Sequence, residues 1–234
     1  MAISIDSVYQ QVLAIANKEQ RGYITPQEFN LFARKAQLDI FENTFHDYKM
    51  ALLKPTSAIK IADDVDMLRE KVSLFRVVGA AVASGTGVIS SGTKPIHWLE
   101  TVYDPTENRV YEEINTEHFV YMESLSNKKI SPHANRPIFY RKTYDTLVLR
   151  PVIGVSTIIC DYITKPVDPN WGYVVVQEKA LYNANASTNF ELHDSEEGSL
   201  VNKILELAGI TLNKPPLSEQ ALRNEQLNET DKNN

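Results

Sequence analysis

The run Asn17-Lys18-Glu19-Gln20-Arg21-Gly22-Tyr23-Ile24-Thr25-Pro26-Gln27-Glu28-Phe29 has the outline of a calcium loop. Gly22, Ile24 and Glu28 fall at its sixth, eighth and twelfth positions. Calcium also needs oxygen ligands at the first, third and fifth positions, which are Asn17, Glu19 and Arg21. Arg21 would set a cation beside the ion, and Pro26 restricts the loop. The same residues read better as a turn at Gly22 followed by a capping box. In that box Thr25 caps a helix, Pro26 fills its first position, and Glu28 reaches back to the cap.

Other chemistry fails on spacing. Ser84-Gly85-Thr86-Gly87 and Ser90-Ser91-Gly92-Thr93-Lys94 hint at a phosphate loop. However, Thr93 separates Gly92 from Lys94, a proline follows the lysine, and no helix opens there. A flexible hairpin loop is the expectation. His46, His97, His118, His133 and His193 are too far apart in sequence for a local metal pair. His46 is placed near a helix C-terminus. The single cysteine, Cys160, lies in a β-branched run beside Asp161, which opposes thiolate formation, so a buried strand position is expected. No Gly-x-Ser-x-Gly elbow occurs. The pairs Asp63-Asp64, Glu112-Glu113 and Glu196-Glu197 suit helix caps and solvated faces. No catalytic, cofactor-binding or metal-ligating residue is therefore expected, and the chain is read as a non-enzyme without cofactors.

Composition sets the frame for these residues. The 234 residues carry a net charge of -6, with 43% hydrophobic and 23% charged positions. That is ordinary globular material, enough for one large domain or two small ones. The N-terminal Met1-Ala2-Ile3-Ser4-Ile5-Asp6 lacks the basic and apolar regions of a signal peptide, and no stretch approaches the ~18 apolar residues of a membrane span. Synthesis in the cytoplasm is expected.

Apolar periodicity supplies the elements. A first helix is capped at Asp6 or Ser7, carries Val8, Val12 and Ile15, and ends by Gly22. A second follows Thr25 to about residue 46, with Phe29, Phe32, Ala33, Ala36 and Ile40 on one face. A third runs from Asp63 to Arg76. From residue 76 the period changes to that of strands, at 77–82, 96–103, 139–141, 146–150 and 156–164, with a short helix near 112–122. Helix is predicted again over Gly172–Ala186 and from Ser195 to a Gly209 C-cap. Residues 213–234 are polar and read as a tail that orders on a partner. The expected fold is α+β. Residues 1–75 and 167–212 form one helical domain whose terminal helices make a bundle, and 76–166 form an inserted β-rich domain.

Three stretches resemble virion structural proteins of crAss-like phages and of marine tailed phages. They are Asn17 to Asn30, Asp161-Tyr162-Ile163-Thr164-Lys165-Pro166-Val167-Asp168-Pro169-Asn170-Trp171, and Phe190 to Glu197 running into Leu200 to Ile210. The resemblance implies a head-to-tail adaptor, a ring of about twelve copies closed by head-to-tail contacts beneath the portal protein. It also implies neighbouring tail and ring proteins as partners, DNA passing through the lumen without sequence-specific binding, no membrane partner, and a place in the virion neck. The family supplies no catalytic or cofactor residues. The alternative within the same virion is another tail ring, a tail-completion protein or a tail-tube protein. Two rivals from other classes are a calcium-regulated or hydrolytic enzyme and a monomeric non-viral binding module.

Overall fold

The computed structural model describes residues 3–18, 24–53, 59–83, 87–90, 94–124, 136–150 and 158–211. Its elements in chain order are α1 (Ile5–Lys18), α2 (Pro26–Leu53), α3 (Ile59–Ser73), β1 (Arg76–Val82), β2 (Ile96–Asp104), β3 (Arg109–Glu113), α4 (Thr116–Ser124), β4 (Ile138–Arg141), β5 (Leu147–Arg150), β6 (Ile158–Thr164), β7 (Tyr173–Val176), β8 (Lys179–Tyr182) and α5 (Glu197–Thr211). The fold is mixed α and β. It divides into two compact units, Met1–Leu74 with Pro166–Asn234, and Phe75–Lys165. No described helix is long and apolar enough to cross a membrane. The calcium-like residues 19–23, His133 and the tail from 212 onward lie outside the described residues.

The helical unit is built on α2. Thr25 Oγ1 accepts from the Glu28 N–H at 3.3 Å, while Glu28 Oε2 accepts from the Thr25 N–H at 2.9 Å. This reciprocal box satisfies amides that a helix start leaves without partners. Phe29, Ala33, Ala36, Ile40, Phe41, Phe45 and Tyr48 are buried along the helix. α2 packs against α3 and α5, and α1 packs against α5. Val8 and Val12 of α1 and Leu200, Ile204 and Ala208 of α5 are fully buried. Each such valine, leucine or isoleucine side chain contributes about 1.5–3 kcal/mol on removal from water. Lys71 of α3 pairs with Glu196 just ahead of α5, both nearly buried.

Several expected boundaries move. α1 starts at Ile5 because Ser4, not Asp6 or Ser7, caps it, its Oγ accepting from the Ser7 N–H at 3.4 Å. α2 runs on to Leu53, burying Tyr48, so His46 lies inside the helix, exposed beside Asp47. Gly209 is no C-cap: α5 continues through it to Thr211, and Gly209 lacks the left-handed φ such a cap needs. The predicted helix over Gly172–Ala186 is the antiparallel hairpin β7–β8. Val174, Val175 and Val176 are β-branched and favour extended backbone. Gln177 and Glu178 take left-handed φ values of 49° and 64°, closing the two-residue turn that suits strand twist.

The second unit is one curled sheet, ordered β1-β6-β2-β3-β4-β5. Neighbours are antiparallel except β3 and β4, which are parallel and need the crossover that carries α4. In β1 the register slips between Val77 and Ala80, where Gly79 adopts φ 74°. Asp161 holds this bulge, its Oδ1 accepting from the Gly79 N–H at 2.9 Å.

The glycine-rich stretch does more than loop. Residues 87–90 cross from one end of the sheet order to the other, bridging Val82 to Ile89 on the β1 side and Val88 to Thr146 on the β5 side. Leu147 N–H donates to the Gly87 carbonyl at 2.8 Å. Val82, Ile89, Leu99, Val102, Tyr111, Phe139, Leu147, Ile158, Cys160 and Tyr162 then form one buried cluster, to which every strand and the strap contribute.

Two tests follow from this packing. A Cβ on Gly87 would stand 1.7 Å from the Leu147 carbonyl oxygen, at a φ of 69°. Gly87→Ala should lower stability by about 2–4 kcal/mol in urea denaturation, and an unchanged midpoint would refute the strap. Hydrogen bonds from Thr25 hold the Glu28 carboxyl below its ordinary value of 4.5. Its contribution is therefore complete above that value and is lost as pH falls through the lowered folded-state value. The stability gap between wild type and Glu28→Gln should be widest near neutrality and narrow in acid. A gap independent of pH would remove the capping role.

Candidate functional site

Several of the residues with chemical character in the sequence serve structure. Cys160 is fully buried in β6, and burial, reinforced by Asp161, pushes its thiol up to about 11. Glu112 and Glu113 face Arg136 and Arg141 at 4.0 and 2.9 Å. Glu196 is buried against Lys71, and Glu197 accepts from Gln11 at 2.6 Å. His193 Nδ1 accepts from the Ser195 N–H at 3.2 Å and caps a 3-10 turn. His97 is part of β2, and His118 is exposed on α4. Among the described residues no group of three His, Cys, Asp or Glu is placed to hold a metal ion.

The structure instead brings together polar residues that the sequence reading did not single out. Asn30, Arg34 and Gln37 lie four and three residues apart, on one side of α2. All three grip the extended segment that re-enters the helical unit after Pro166. Gln37 is 2% exposed; its Nε2 donates to the Val167 carbonyl at 2.7 Å and its Oε1 accepts from the Glu191 N–H at 2.9 Å. Glu191 closes the triangle, accepting from the Val167 N–H at 2.9 Å. Arg34 meets Asp168 at 3.0 Å. Asn30 Oδ1 accepts from the Trp171 N–H at 2.7 Å, and its Nδ2 donates to the Trp171 carbonyl at 3.2 Å. The side-chain amides thus satisfy backbone groups on either side of the Asn170–Thr188 bridge. The available signal was a glutamine between Ala36 and Ile40 on an otherwise apolar face.

The clamp ends at Trp171, which is 3% exposed. Its indole N–H donates to Asp6 Oδ1 at 2.9 Å, and its ring lies 4.3 Å from Tyr9. Tyr173 and Tyr182, opposite each other across the hairpin, pack 5.8 Å from the same indole. Gly172 is required beneath them, because a Cβ there would stand 2.5 Å from the Ala186 backbone. The base of the hairpin is therefore fixed in the helical unit. Its outer part is bare: Val174, Val175, Val176 and Leu181 are between 46% and 63% exposed. An anchored, apolar, two-stranded projection can grip another surface. Nothing in it activates a nucleophile or positions a proton.

The clamp has a direct test. Gln37→Leu fills the same space but leaves the Val167 carbonyl and the Glu191 amide without their partners. The substitution should cost about 2–4 kcal/mol despite the gain in hydrophobicity, measured by chemical denaturation. A neutral or stabilising Leu would show that these bonds do not hold the segment.

Comparison with known protein families and with curated proteins finds no match for the chain, so the geometry of the described residues and the sequence resemblance together carry the functional reading.

Proposed function

We propose that the chain is a structural subunit of a tailed-phage virion, one copy of a head-to-tail connector ring that seats on the portal and through which DNA passes. In this reading the N- and C-terminal helices form one bundle, supported by the packing of α1 on α5 and of α2 on α3 and α5. The role is one of holding, not of catalysis.

One observation carries the proposal. The three stretches that resemble virion proteins are far apart in sequence yet bond to one another. Asn30, the last residue of the first, bonds to Asn170 and Trp171 at the end of the second. Val167, in the second, bonds to Glu191 in the third. Residues from each of the three stretches therefore meet at one junction. The anchored hairpin that leaves this junction supports the same reading, since a ring subunit needs surfaces that meet different surfaces on its neighbours. With a net charge of -6, the assembled subunits would also present duplex DNA with more repulsion than attraction.

Light scattering of the purified chain, alone and mixed with a portal, tests the proposal. Alone it should be mainly a 26.5 kDa monomer with weak association. With the portal it should form a closed ring. A chain that stays monomeric beside its portal, or an electron-microscopy map of the parent particle that lacks it, would overturn the reading.

A further inference from the structure

We propose that His193 is a pH-read latch on the turn that opens α5. Neutral, its ring holds the Ser195 amide. Charged, it releases that amide and bridges the Ser195 hydroxyl to the Glu70 carboxylate. The inference goes beyond the connector reading and does not depend on it.

The partners of the ring fix where its proton sits. His193 Nδ1 lies 3.2 Å from the Ser195 backbone nitrogen and 2.9 Å from Ser195 Oγ. A backbone N–H can only donate, so Nδ1 is the unprotonated nitrogen and the neutral ring carries its proton on Nε2. Nε2 lies 3.9 Å from Glu70 Oε1 of α3. The His193 side chain is 29% exposed, so a proton reaches it from water without unfolding.

Imidazole changes charge between pH 5 and 8. A proton on Nδ1 turns an acceptor into a donor. It then opposes the Ser195 N–H, which loses its partner. The Ser195 hydroxyl can donate or accept, so it takes the new Nδ1–H, while Nε2–H turns a full cation toward Glu70. The two states differ by one backbone amide and one rotated hydroxyl. The rest of the turn keeps its bonds in both: the Glu196 N–H donates to the His193 carbonyl at 2.9 Å, and the Glu197 N–H to the Asp194 carbonyl.

The charges around the ring come from several elements. α3 presents Glu70 and Lys71, the turn itself Asp194 and Glu196, and α5 Glu197. Lys71 is held by the buried Glu196, and Glu197 accepts from the neutral Gln11 of α1. α2 presents the neutral Gln37 to the same segment, at Glu191. Glu70 is the carboxylate in ion-pair range of Nε2. The turn links the buried Phe190 and Leu192 to the buried Leu200 and Ile204 of α5. Acid therefore loosens the link and leaves both anchors seated.

Solution NMR of the full chain tests the latch. At pH 8 the ring nitrogens of His193 should show the Nε2–H tautomer, and the Ser195 amide should be protected from exchange. At pH 5 the Ser195 protection factor should fall by about threefold to tenfold, the worth of one hydrogen bond, while that of Ile204 in the body of α5 stays constant. His193→Asn keeps an oxygen that accepts from the Ser195 N–H and cannot take up a proton, so it should hold the protection at both pH values. Glu70→Gln should carry the step to lower pH, because the cation loses its carboxylate. An Nδ1–H tautomer at pH 8, a Ser195 protection factor that does not change with pH, or the same step in His193→Asn would overturn the latch. A step left unmoved by Glu70→Gln would overturn the bridged state.

Discussion

The helical unit depends on side-chain amides of α2 holding an extended backbone in place. A chain that leaves a helical unit at residue 74 and returns at 166 must fix its point of return. Here Asn30 and Gln37 do so, bonding Val167, Asn170, Trp171 and Glu191. Buried backbone groups need partners, and along this segment a backbone bridge to Thr188 supplies them at Asn170, leaving Val167 and Trp171 to the side chains. The amides fill that need, and Trp171 then fastens the base of the hairpin. The burial of Gln37 is thus tied to the direction in which β7–β8 leaves the unit.

The sheet unit solves a different problem. Six strands with one apolar interior have two outer strands, each with unpaired backbone. The strap at 87–90 crosses between them, and Gly87 is there because the Leu147 carbonyl occupies the space a side chain would need. Asp161 lets β1 bend by capturing the Gly79 amide. Both devices use single residues to adjust backbone paths, and both lie within stretches that read as ordinary strand or loop.

What the sequence made legible follows from which forces act locally. The capping box of Thr25 and Glu28 was visible because its partners are three residues apart, and the apolar stripe of α2 because its period is that of the helix. The change to strands near residue 76 was visible in the β-branched runs. The hairpin over 173–182 was misread as helix because its turn, Gln177-Glu178, lacks the Asn and Gly that announce such turns. Asp6 and Ser7 both suit a cap by residue type, yet Ser4 fills that place and Asp6 is engaged by Trp171, 165 residues away. The clamp itself was hidden for the same reason: Gln37 and Val167 are 130 residues apart, and only the folded chain brings them together.

The clamp also has a character set by its chemistry. Carboxamide dipoles carry no net charge, so dissolved ions screen them little, whereas the exposed Arg34–Asp168 bridge on the same segment fades as ionic strength rises. Concentrated salt would therefore loosen the Arg34–Asp168 rim of this junction and leave the carboxamide bonds of Asn30 and Gln37 in place.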